Sequence, residues 1–150
     1  MPAGKRERLL HFYEDMLRIR FFEEKVRDVL LPRKLFRGSS HLSIGQESVA
    51  VGVCDMLEKK DAVSGTYRGH ATYLAKGGSL KGMIAEMYGK DTGCARGKGG
   101  SMHMFSREKN FFGGHGIVGA QVSLGNGLGR AAIALQAHAA QALGLSTWCA

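Results

Sequence analysis

The chain has 150 residues, 44% of them hydrophobic, with 21 Lys and Arg against 13 Asp and Glu and a formal charge of +8. That length buries one sizeable core and excludes a pair of ordinary domains, while the absence of any long apolar run excludes a membrane span. Cys54, Cys94 and Cys149 follow neither a metal-ligand spacing nor a disulfide framework, and the N-terminus lacks the apolar core of a secretory signal. Reduced thiols in the cytoplasm or a mitochondrial matrix are therefore expected. The basic balance admits nucleic acid, an acidic protein, a membrane surface or a phosphorylated cofactor, and does not choose among them.

Over residues 6–31, Leu9, Tyr13, Met16, Leu17, Val26, Val29 and Leu30 recur at helical steps, with Glu14 to Arg18 and Glu23 to Arg27 as i,i+4 pairs on the wet side. Pro32 ends this helix. After the basic connector "RKLFRGSSH", "SIGQESVAVGVCDML" reads as a short, mostly buried helix, with Ser43 and Gln46 spaced as a capping box. Residues 61–67 are the best strand. "ATYLAKGG" follows as a brief helix closed by Gly77. Ser79 then caps a helix whose apolar face is Leu80, Met83, Ile84 and Met87 and whose end is marked by Gly89.

Twelve of the 22 glycines lie between Gly89 and Gly129, more than an ordinary connection uses. The segment "GCARGKGGSMHMFSREKNFFGGHGIVGAQ" holds neither a helical nor a strand period over most of its length, yet disorder would leave Met102, Met104, Phe105, Phe111, Phe112, Ile117 and Val118 in water. From Val118 onward a further helix is expected, glycine-rich and then alanine-rich.

Three patches combine glycine with cations or imidazoles: "RGSSHLSIGQE", "GTYRGH" and the long segment itself. Tyr67, Arg68 and His70 sit where the strand finishes, the end at which open α/β sheets place ligands. Arg68 has donors that match phosphate oxygens in pairs, and the N–H groups of "GKGG" suit an anion nest. Taken singly, each patch is equally compatible with structure: Arg68 paired to a carboxylate, glycines serving turns. There is no Walker loop, no dinucleotide fingerprint and no zinc spacing among the histidines and Cys94.

Taken together, "HLSIGQESVAVGV", "TYRGHATYLAKG", "MIAEMYGK", "GKGGSMHMF" and "FFGGHGIVGAQV" resemble the alpha subunits of thiamine diphosphate-dependent 2-oxo acid dehydrogenases, those of pyruvate and acetoin dehydrogenase above all. The resemblance covers residues 18–129. It implies an α/β fold with three layers, a mostly parallel sheet flanked by helices, of which residues 1–150 would supply the N-terminal portion and leave the sheet incomplete. It further implies thiamine diphosphate held between this chain and a beta subunit in a heterotetramer, with a lipoyl-bearing acyltransferase as acyl acceptor. Carried over by position, Tyr67 and Arg68 contact the diphosphate, the backbone at Gly116 and Val118 meets the aminopyrimidine ring, and His41 is the catalytic histidine near substrate and lipoyl group. Pyruvate is the first expected substrate, acetoin the second and a branched 2-oxo acid the third.

The family's Gly-Asp-Gly motif and later asparagine, which ligate magnesium, have no counterpart here: no Asp or Glu follows Glu108, so no metal-binding residue is assigned. Residues 130–150, "RAAIALQAHAAQALGLSTWCA", read as an atypical tail. A change of reading frame or a truncation near Gly129 is the preferred explanation, over a genuine short protein kept as a partner-binding remnant. In either case the polypeptide alone is expected to be inactive. A basic nucleic-acid module is the other class of reading; it lacks aromatics interleaved with the cations and leaves the glycine segment unexplained.

Overall fold

The computed structural model describes residues 3–36 and 38–142, with side chains through residue 135, and divides into two compact units, Met1–Ile117 and Val118–Ala150. In the first unit, α1 (Ala3–Lys25) runs directly into a π-helical turn, Val26–Leu30. Pro32 has no N–H to continue the helical ladder, and around it the bonds step to five residues, Leu31 N–H to Val26 O at 2.9 Å and Leu35 N–H to Leu30 O at 3.2 Å. The helix buries Ile19, Phe22 and Val26, while Leu9 and Tyr13 of the expected apolar face are exposed. Neither expected wet-side pair forms among the described residues: Glu23 is wholly buried against His70, Arg27 pairs with Asp28 at 2.6 Å, and Arg18 pairs with Asp15 at 3.5 Å.

Helix α2 (Glu47–Asp55) is two-sided, burying Ala50 and Val51 and exposing Val49 and Val53, so it is less buried than expected. The anticipated capping box does not form. Gln46 makes no side-chain cap bond, and the Ser43 hydroxyl donates to the carbonyl of Arg68 at 3.3 Å instead. What fastens this end is Glu47, whose carboxylate takes Arg20 Nε at 2.6 Å, Arg20 Nη2 at 3.0 Å and the Gly45 N–H at 3.1 Å. The Arg20 guanidinium, chiefly, holds the Glu47 carboxyl down to about 2. A depressed carboxyl stabilises the fold above its ordinary value of 4.5 and loses that contribution as pH falls toward about 2. Acid titration of folding should show this loss, and Glu47→Gln should remove it.

Strand β1 (Val63–Thr66) leads into α3 (His70–Ala75) and α4 (Leu80–Met87), and the Ser79 hydroxyl caps α4 by accepting the Gly82 N–H at 3.2 Å. The long glycine segment contains a 3-10 turn (Arg107–Lys109) and a second strand, β2 (Phe111–His115), that the residue pattern did not disclose. Strands β1 and β2 pair in parallel with Val63 opposite Phe111, Gly65 opposite Gly114 and Thr66 opposite His115. A parallel pair needs a long crossover, supplied here by α3, α4 and the glycine loop. Gly114 admits no larger residue: a Cβ there would lie 2.7 Å from the Thr66 carbonyl oxygen and overlap that of Met102.

The architecture of this unit is α/β, with two parallel strands among the described residues and a core that joins Ile19, Phe22 and Val26 to Val51, Leu74, Met83, Met87, Met104 and Phe111. Phe111 stands edge-on to Tyr73 with ring centroids 5.9 Å apart, which fastens the glycine loop to α3. In the second unit, α5 (Ala120–Ala142) is the expected helix, with Val122, Ile133 and Leu135 exposed. Cys54 and Cys94 are unpaired, and Cys149 lies outside the described residues. No helix among the described residues is long and apolar enough to cross a membrane.

Candidate functional site

Because β1 and β2 run in parallel and finish in register, at Thr66 and His115, the turns that follow begin at one level of the sheet. Tyr67 and Arg68 open one turn and Gly116 the other. This is the carboxyl edge at which α/β sheets leave room for ligands.

Against the first turn lies the segment 40–43. The His41 and Tyr67 rings stand 4.5 Å apart at 61°, the Arg68 guanidinium lies 5.7 Å from the centre of the Tyr67 ring, and Arg68 Nη1 donates to the carbonyl of Leu42. Arg68 is exposed and has no carboxylate partner among the described residues, so the purely structural reading, an ion pair, is not what holds it. Nδ1 of His41 is buried and without a partner among the described residues. An unpartnered buried ring nitrogen is costly, and a polar group arriving from outside would relieve it.

The second turn meets the glycine loop through His103, whose Nδ1 lies 3.0 Å from the carbonyl oxygen of Gly114. A Cβ at position 116 would come within 3.3 Å of that imidazole, so glycine lets the ring lie close to the main chain. Val118 belongs to the second unit, where it is exposed.

The anion nest expected in "GKGG" forms, and its anion is internal. Glu86, buried on α4, takes the N–H of Ala95 at 2.7 Å and of Gly97 at 2.8 Å on one oxygen, and those of Gly99 at 2.7 Å and Gly100 at 3.1 Å on the other. These four N–H groups of the loop are thereby satisfied by the chain's own carboxylate, without a ligand. Glu86 went unnoticed in the residue pattern, although a carboxylate three residues after Met83 and beside Met87 borders the buried face of α4. Glu23 and Ser101 were missed likewise; each is buried in polar contact with His70.

Of the expected site residues, His41 and Arg68 both lie against the Tyr67 ring, and Gly116 follows the neighbouring strand in register. No group of three or more His, Cys, Asp or Glu among the described residues could hold a metal ion. The donor set suits a doubly charged anion: an exposed guanidinium clear of carboxylates, beside a phenol with no hydrogen bond among the described residues.

The description of the dehydrogenase E1 component family matches residues 14–145. The pyruvate dehydrogenase E1 component subunit alpha of Rhizobium meliloti (strain 1021) is 54% identical over 119 residues, 79% of this chain and 34% of that protein. The mitochondrial pyruvate dehydrogenase E1 component subunit alpha-1 of Oryza sativa subsp. japonica is 52% identical over 120 residues, 80% of this chain and 30% of that one. The alpha subunit of acetoin:2,6-dichlorophenolindophenol oxidoreductase of Bacillus subtilis (strain 168) is 46% identical over 121 residues, 81% of this chain and 36% of its own length. The chain thus spans about a third of the length of the curated relatives it matches.

Proposed function

This chain belongs to the dehydrogenase E1 component family, and we propose that it forms the diphosphate-holding part of an alpha subunit that decarboxylates pyruvate and passes the acetyl group to a lipoyl carrier. The observation that carries the reading is the Tyr67–Arg68 turn at the end of β1, cationic, clear of carboxylates and in contact with His41. Arg68 and Tyr67 would hold the diphosphate of thiamine diphosphate, and the main chain at Gly116 and Val118 its aminopyrimidine. When bound, that cofactor supplies the nucleophilic carbon and the electron sink that decarboxylation requires.

The chain's own groups bind, orient and move protons. Arg68 balances phosphate charge, and its contact with the Leu42 carbonyl sets the distance between the phosphate end and the His41 segment. An imidazole can carry a proton in either direction near neutral pH, which fits His41 for delivery to a lipoyl sulfur. In a complete enzyme, His41→Ala should cripple acyl transfer to the lipoyl group far more than cofactor binding. Unchanged lipoyl acetylation would remove His41 from that role.

A beta subunit completing a heterotetramer and a lipoyl-bearing acyltransferase are the proposed partners, in the cytoplasm or a mitochondrial matrix. The exposed Ile117 next to Gly116 is apolar surface that such a beta subunit would cover. Magnesium is proposed for the complete family protein, through ligands that residues 1–150 do not supply. With no Asp or Glu after Glu108, the polypeptide of residues 1–150 is expected to release no carbon dioxide from pyruvate when given thiamine diphosphate and magnesium. Measurable release would overturn that expectation. Acetoin is the second substrate reading, favoured by the resemblance to the Bacillus subtilis oxidoreductase subunit. Pyruvate stands first because the two pyruvate dehydrogenase relatives share more identity, 52% and 54% against 46%.

A further inference from the structure

One buried carboxylate reaches both ends of the segment that carries His41. Oε1 of Glu23 accepts the Ser43 N–H at 2.9 Å, and Oε2 lies 3.0 Å from Nδ1 of His70. Nε2 of His70 lies 2.8 Å from the Ser101 hydroxyl, which in turn lies 2.8 Å from the hydroxyl of Ser40. Ser43 is therefore held directly and Ser40 through two intermediaries. Between them, the Leu42 carbonyl is held by Arg68. Nδ1 of His41, by contrast, is buried and without a hydrogen-bond partner among the described residues, and its ring rests on Tyr67.

The order Glu23, His70, Ser101 is that of an acid, base and nucleophile, but the geometry does not serve hydrolysis. Ser101 is 4% exposed and its hydroxyl is engaged by His70 on one side and Ser40 on the other, so no substrate reaches it. Nor is the chain needed for packing, since a buried acid and imidazole are no more stabilising than apolar side chains of the same size. What it provides is continuity: His70 meets Glu23 with one ring nitrogen and Ser101 with the other, and the Ser101 hydroxyl links that ring to the Ser40 hydroxyl. The edge of the Phe22 ring, 5.6 Å from His70, helps to fix the plane of the imidazole.

We infer that Glu23 and His70 are positioning residues for His41: they clamp residues 40 and 43 from the core, so that the His41 ring is held against Tyr67 at the strand ends while its Nδ1 stays uncommitted. The purpose of this clamp rests on the proposed role of His41; its existence does not. The test uses the 150-residue polypeptide, its Ser40→Ala and Ser101→Ala variants, and Ser40→Thr, which keeps the hydroxyl. The readouts are the nuclear Overhauser contact between the His41 and Tyr67 rings and the ring 15N shifts of His70.

The unmodified chain should show the ring contact and an Nδ1-protonated His70. Ser40→Ala should lose the contact with the main-chain signals of Gly97 and Gly99 unmoved, and Ser40→Thr should restore it. Ser101→Ala should lose the contact and also shift Nε2 of His70, a spectroscopic change that loosened packing alone does not produce. Persistence of the contact in Ser40→Ala overturns the clamp, and that variant decides the matter if Ser101→Ala does not fold. Thiamine diphosphate added to the same samples separates the two readings. Failure of the unmodified chain to respond at Arg68 removes the cofactor reading, while the ring contact still decides the clamp.

Discussion

Alanine in place of Glu86 is expected to destabilise the first unit by about 3–4 kcal/mol, because four half-buried main-chain N–H groups lose their buried carboxylate acceptor at once. Glutamine at the same position should cost less, about 2 kcal/mol, since the amide oxygen still serves one pair of donors while the NH2 group faces the other. The damage should spread along the chain. Ser101 and His103 follow the held residues directly, and they carry the contacts to His70 and to the Gly114 carbonyl. Urea unfolding gives the stability change, and hydrogen exchange at Ala95, Gly97, Gly99 and Gly100 locates it. Unaltered exchange at these four amides in Glu86→Ala would show that the loop is held by something else.

The second large effect concerns the proposed ligand. Arg68→Ala should weaken thiamine diphosphate binding about 10- to 100-fold, the range for a hydrogen bond to a charged group, and leave the binding of unphosphorylated thiamine unchanged. Arg68→Lys should recover only part of the loss, because an ammonium supplies the charge without the paired donors of a guanidinium. Calorimetric titration of the three proteins measures both. Equal weakening for thiamine and its diphosphate would mean that Arg68 acts only by holding the Leu42 carbonyl.

Much of this was legible before any coordinates. The helical period of α1, the Ser79 cap of α4, the strand ahead of Tyr67 and the helix after Val118 are all local signals, set by side chains within a few residues of one another. What was not legible depends on partners far along the chain. Glu23 sits four residues before Arg27, as a surface ion pair would, and its true partner His70 lies 47 residues away. The strand Phe111–His115 holds two glycines in five residues and has little strand propensity of its own. It exists because Phe111 is buried against Tyr73 and its main chain pairs with β1. The nest in "GKGG" was read correctly as an anion site, but its anion comes from α4, and no spacing rule connects Glu86 to residues nine to fourteen positions onward. Of the site itself, the contact of His41 with Tyr67 joins patches that were recognised separately.

The central claim is that the turn after β1 holds the diphosphate of thiamine diphosphate, with the main chain after β2 against its aminopyrimidine. It is tested most directly by titrating the 15N-labelled chain with thiamine diphosphate and, separately, with thiamine, and following the main-chain amides and the Arg68 guanidinium. The account predicts that thiamine diphosphate shifts Tyr67 and Arg68 as well as Gly116, with thiamine alone leaving Arg68 unmoved. Equal responses to both compounds, or shifts confined to residues away from these strand ends, would contradict it.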